Sequence, residues 1–139
     1  MKLVPDTQIA DDLEAAAELL ETEKIKWCQG TLGNITLDAN NKIQLASVCA
    51  VGALAVVTAG LDYMVGAFLR GVPEYAQTVG PGRDRLNAAR TAVSDYLVMS
   101  YGLSLADSVT ENWNDSAGRT REQVVDLFKN TAKDLRNRV

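Results

Sequence analysis

Cys28 and Cys49 are the strongest nucleophiles in a chain of 139 residues that contains no histidine. Without an imidazole, Ser-His-Asp and Cys-His systems, histidine general bases and His-containing zinc sites are all excluded. Carboxylate, thiol, lysine and tyrosine chemistry remains. With Ser47 as the cap of a helix, Cys49 falls in the first helical turn, where free backbone N–H groups and the helix dipole lower a thiol pKa. Cys49 is therefore the one weak catalytic candidate, and it lacks an obvious partner base. Buried, inert thiols are the plainer reading of both cysteines, and a Cys28–Cys49 disulfide is disfavoured in a reducing compartment. Two cysteines are also too few for a structural zinc site.

The densest polar run is Trp113-Asn114-Asp115-Ser116-Ala117-Gly118-Arg119-Thr120, which joins an aromatic, an amide, a carboxylate and a guanidinium just before a helix start. Helix starts bind anions, and Arg119 adds a bidentate grip on phosphate or carboxylate. The competing reading is a turn in which Asn and Asp bond their own backbone, Gly118 supplies a positive φ, Trp113 anchors in the core and Asp115 pairs with Arg119. Gly80-Pro81-Gly82-Arg83 lacks the Gly-Lys-Ser/Thr ending of a phosphate loop. Asp84, Asp95 and Asp107 are too scattered to argue for a metal site. No metal and no cofactor is expected.

These residues need elements to hold them. A helix capped by Asp6 or Thr7 runs over about residues 7–24, with Ile9, Leu13, Ala16, Ala17 and Leu20 on one face and acids on the other. Gly30, Gly33, Asn34, Asn40 and Asn41 punctuate two short runs that read as a β-hairpin over residues 31–45, turning at residues 38–41. The spacing predicts a long apolar central helix over residues 47–70 and a loop over residues 71–82. Further helices are predicted over residues 83–101, ending at Gly102, and over residues 104–112, capped by Ser104. Thr120-Arg121-Glu122-Gln123 has capping-box spacing and opens a last helix over residues 120–136. The expected architecture is mainly α: one compact domain, residues 1–139, of about five helices around a central apolar helix, with a small β-hairpin.

Composition narrows the function classes. The chain is 47% apolar and carries a net charge of −4, outside the disordered regime. Residues 1–69 sum to −5 and residues 70–139 to +1, so neither half is a polyanion binder and nucleic acid is disfavoured as a partner. The acidic run around Asp11, Asp12, Glu14, Glu18 and Glu21 and the basic tail with Lys129, Lys133, Arg136 and Arg138 read as solvated helix faces. Residues 43–61 carry no formal charge and approach a bilayer-spanning length, but Ala, Gly and Val dominate them, with Gln44, Ser47 and Thr58 included. A buried helix is preferred there, and membrane association ranks last. The first eight residues lack the apolar region of a secretory signal, so the expected compartment is the cytoplasm.

Trp27-Cys28-Gln29-Gly30, then Cys49-Ala50-Val51-Gly52-Ala53-Leu54, then Trp113-Asn114-Asp115 with Gly118-Arg119-Thr120 and Glu122-Gln123-Val124, resemble domain-of-unknown-function family 6197. Lys26 stands where that pattern has a glycine, and Ser116-Ala117 replaces a more proline-like pair. The resemblance implies a setting, an actinobacterial cytoplasm or that of a phage-infected actinobacterial host, and supplies no chemistry to transfer.

Trp27, Cys28, Gln29, Cys49, Trp113, Asn114, Asp115 and Arg119 are the candidate binding residues. The leading expectation is an accessory or regulatory protein that acts by binding another protein, with self-association left open. A thiol enzyme or small-ligand binder using Cys49 with the Trp113-Asn114-Asp115/Arg119 cluster is the alternative, and a membrane-associated protein comes third.

Overall fold

The computed structural model describes residues 3–61 and 81–138. Along the chain these form α1 (Asp6–Glu21), β1 (Lys26–Trp27), β2 (Gly33–Leu37), β3 (Ile43–Val48), α2 (Ala50–Ala59), α3 (Pro81–Tyr101), α4 (Thr110–Asn114) and α5 (Arg121–Asn137). The fold is mainly α with a small sheet, as expected.

α1 buries Ile9, Leu13, Ala16, Ala17 and Leu20, the face predicted by its spacing. Its cap is Pro5, not Asp6 or Thr7, and it ends at Glu21 because Thr22 turns extended, its amide reaching back to Leu19 O. α1 packs along α5, which buries Val124, Leu127, Phe128, Thr131 and Leu135. The acidic and basic runs meet across this seam: Arg136 bridges Asp11 at 2.7 Å and also Glu14, and Lys129 reaches Glu21 at 2.9 Å. Much of the charge asymmetry of the sequence is thus paired within the molecule.

The predicted hairpin forms, with one addition. Asp38 closes its turn by accepting from the amides of Asn40 and Lys42, and Asn41 takes a positive φ of 61°. β3 pairs antiparallel with β2, and β1 adds parallel to its other side in the order β1-β3-β2. The register steps between Asn34 and Ile35, a bulge that bends the hairpin.

α2 lies at the centre, packed on α1, α3 and α4, and nearly every position in its first turns is buried. Three expectations about it are corrected. Residues 43–48 are strand, so the charge-free stretch is divided between β3 and a ten-residue helix. The cap is Cys49 and not Ser47, which is still in β3. α2 stops at Gly60, whose φ of 92° only glycine adopts freely; residues 62–70 of the predicted helix and 71–80 of the predicted loop lie outside the described residues. Pro81 and Gly82, placed in that loop, instead open α3. Among the described residues, no helix is long and apolar enough to cross a membrane.

α3 ends as predicted with Gly102 at a φ of 67°, its amide bonded to Val98 O. The predicted helix over residues 104–112 shrinks to α4. Ser104 caps only a turn, accepting from the Asp107 amide at 3.1 Å, and helical bonding starts at Thr110. α5 has the predicted capping box, with Thr120 accepting from the Gln123 amide and the Gln123 side chain accepting from the Thr120 amide. A buried ion pair ties α3 to α1: Arg85 donates to both oxygens of Asp12, at 3.0 and 2.5 Å. Asp12 is 3% exposed, so this pair is desolvated on its acidic side.

Candidate functional site

All eight candidate residues come together where β1, the start of α2 and the end of α4 converge. Asn114, fully buried, is the centre of the cluster. Its Oδ1 accepts from Trp27 Nε1 at 2.7 Å and from the Ala50 amide at 2.9 Å. Its Nδ2 donates to Cys28 O at 3.1 Å and to Asp115 Oδ1 at 2.9 Å. One amide therefore joins the strand, the central helix and its own helix.

The surrounding residues complete the clasp. Gln29 donates to Asn114 O and Ser116 O, both at 2.9 Å, and the Gly30 amide donates to Asp115 Oδ1 at 2.9 Å. Trp113 is buried, and the Arg119 guanidinium lies 3.8 Å from its ring centroid while Arg119 Nε donates to Trp113 O. Arg119 thus lies on Trp113 and not on Asp115, contrary to the expected pairing, its Nε held by the Trp113 carbonyl. Of the turn reading, the positive φ of Gly118, 80°, and the burial of Trp113 hold, but Asn114 and Asp115 do not bond their own backbone: their side chains bond each other and reach across to residues 27–30 and to Ala50.

Both thiols are free. Cys49 Sγ accepts from the Gly52 amide as the cap of α2, the geometry expected to favour a thiolate. Burial outweighs it: desolvation pushes the Cys49 thiol from an ordinary 9.0 up to about 11, against the lowering effect of the Gly52 bond. Cys28 is also raised, by burial first, with a hydrogen bond to Ser47 opposing. Neither is poised as a nucleophile near neutral pH. Cys49 sits under a backbone crossing: Leu32 O accepts from its amide at 2.9 Å, and a Cβ on Gly52 would collide with that oxygen. Among the described residues, no group of three His, Cys, Asp or Glu side chains could hold a metal.

Among the described residues, two grooves lie along α3. One of about 380 Å³ opens between α1, α3 and α5, its apolar floor including Val4, Ile9 and Leu135 and its rim including Asp84, Asp95 and Asp134; Arg138 is bonded to Asp134 there. The other, about 330 Å³, lies between α3 and the segment returning from it, lined by Asn87, Arg90, Thr91, Ser94, Val109 and Thr110. None of the residues lining either groove is among the eight candidates. The signal available was a polar stripe at 87, 90, 91 and 94, one side of a helix, which looks like any solvated face until the facing segment is known.

No curated protein and no solved structure matches this chain. A family model does: it matches residues 4–134, covering α1 through most of α5, and so takes in every residue of the clasp. The chain belongs to the family of unknown function DUF6197.

Proposed function

We propose that the protein is a non-catalytic accessory or regulatory factor that binds another protein in an actinobacterial or phage-infected cytoplasm. One observation carries this reading. The hairpin pairs Ile35 with Leu45 and Leu37 with Ile43, so four apolar side chains share one face while Thr36 and Gln44 share the other. Leu45 packs on the core, but Leu37 is 62% and Ile43 41% exposed. Such a two-tone ribbon, apolar beyond the point where the core ends, suits an apolar surface on a partner. The clasp supports the same reading indirectly, since its polar groups are bonded to one another and tie residues 27–30 to α2 and the end of α4.

The test is affinity capture from an actinobacterial lysate with three baits: the unaltered chain, a Leu37→Ser/Ile43→Ser variant and an Asp107→Ala control. The expected result is one stoichiometric protein held by the first and third baits and lost from the second. Retention by the hairpin variant, or capture of nothing by any bait, would sink the proposal. Light scattering on the purified chain separates a second copy from a different partner.

A further inference from the structure

The groove of about 380 Å³ between α1, α3 and α5 has an apolar floor and a charged group at each end of one wall. Val4, Ile9 and Leu135 form the floor, and Ala88 and Ala92 of α3 lie half-buried beside it. Asp84, Ala88, Thr91, Ala92 and Asp95 recur at the spacing of one helix face, so a single stripe of α3 lines the groove for three turns. Its two carboxylates stand at the ends of the stripe, eleven residues and roughly 16 Å apart along the helix axis. Both side chains are exposed, and among the described residues neither makes a hydrogen bond or an ion pair. On the neighbouring helices, by contrast, Asp11, Asp12, Glu14, Glu21 and Asp134 are each paired with an arginine or a lysine. Arg138, the one basic side chain lining the groove among the described residues, is held by Asp134 at 2.6 Å.

We propose that this groove binds a long linear diamine, an organic dication whose ammonium groups sit at Asp84 and Asp95 while the alkyl chain between them lies on the floor. The occupant follows from charge complementarity. An anion would meet two carboxylates with no free base beside them, and a metal ion cannot join acids three helical turns apart. A neutral apolar guest would cover the floor and take water from the carboxylates without replacing it. A diamine satisfies all three parts, and its ammonium protons also reach acceptors on Asn87 and Thr91, which line the same wall. The volume lies at the small end of the roughly 300–1,000 Å³ typical of ligand sites, which suits one extended chain. Ion pairs at exposed carboxylates are weak, so affinity depends on reaching both ends and on covering the floor between them.

The experiment is a titration of the full chain, followed by amide NMR shifts, with 1,12-diaminododecane and 1,4-diaminobutane, two dications of equal charge and different reach. 12-Aminododecan-1-ol, of the longer reach with one charge, is the third probe. The twelve-carbon diamine is expected to bind at least ten-fold more tightly than the four-carbon one, with shifts centred on residues 84–95 and 131–135. Asp84→Asn and Asp95→Asn should each weaken it about three- to five-fold, the loss of one exposed ion pair, and should leave its affinity near that of the amino alcohol for the unaltered chain. Asp107→Asn removes the same charge away from the groove and should change nothing. Absence of binding, equal affinity for the two diamines, or equal losses at Asp107, Asp84 and Asp95 each overturns the proposal, the last two by showing mere attraction to an acidic protein.

Discussion

The two ends of the five-residue helix α4 solve the same problem in opposite ways. At its far end Asn114, wholly buried, uses both polar atoms in four bonds, to residues 27–28, to Ala50 and to its neighbour Asp115. At its near end Thr110 and Glu111 each hold a buried oxygen with no partner. Burial is similar at Thr110 and Asn114, so what differs is satisfaction. The satisfied end joins elements distant in sequence, and motif-like residues gather there because a buried polar junction tolerates few substitutes. The other end is joined by side chain only to α3, through Glu111 and Arg90, and keeps two buried oxygens without partners. A residue run that looks chemical can be architecture, and the better place to seek a ligand is where polar groups line an open groove without partners.

The largest effect should come from breaking the satisfied end. Asn114→Ala leaves Trp27 Nε1, the Ala50 amide and Cys28 O without their partner, and two or three stranded buried groups amount to about 4 kcal/mol of lost stability. Urea unfolding of the variant measures this. A loss below about 1 kcal/mol would mean that water takes over these bonds and that the clasp is not what holds β1 to α2 and α4. Gly52→Ala attacks the same junction from its other side. The added methyl meets Leu32 O, which the Cys49 amide holds in place, and overpacking against backbone should cost about 3 kcal/mol despite the better helix propensity of alanine.

How much of this was legible in the sequence depends on whether a feature is local. The α5 capping box, the Asp38 turn, the Gly102 stop and the buried face of α1 follow from neighbouring residues, and all were readable. β1 was not, because a two-residue strand has no alternation to detect and exists only through its register on β3. The central helix was expected to start at Ser47 and starts instead at Ala50, because β3 runs on to Val48 and the Cys49 amide still bonds the Leu32 carbonyl just before β2. The eight candidate residues were readable as a group, through the family resemblance, but their bonding to one another was not. The unpartnered Thr110 hydroxyl escaped entirely, since no pattern of residue types encodes which buried hydroxyls find an acceptor.

The Cys49 thiol gives a pH handle on the clasp. Its pKa is about 11 in the fold against an ordinary 9.0, so the folded state prefers the protonated thiol. The stabilisation is complete below pH 9 and is lost as pH rises from 9 to 11, because the unfolded chain releases the proton first. A shift of this size corresponds to about 3 kcal/mol, with the raised pKa of Cys28 acting in the same direction. Urea unfolding across that interval checks it, against a Cys49→Ala variant whose remaining slope reports Cys28 and the other alkaline groups. An equal slope in both proteins would mean that the start of α2 opens readily to solvent.

The smallest effect has the opposite sign, and it sharpens the contrast most. Thr110→Val keeps the shape of the side chain and replaces a buried hydroxyl without a partner by a methyl group. Since the hydroxyl loses its hydration on folding and regains no bond, its removal should stabilise the protein, by up to about 1 kcal/mol. The same change at Thr58 or Thr131, whose hydroxyls are bonded at 2.7 Å, should be neutral or destabilising, by about 1 kcal/mol at most. Thermal unfolding of the three variants side by side reads the sign directly. Stabilisation at Thr110 alone would show that selection keeps a hydroxyl the fold does not need, as functional sites do at the expense of stability. Equal responses at all three positions would show instead that Thr110 finds its partner in solution, and the two ends of α4 would then differ only in how far their bonds reach along the chain.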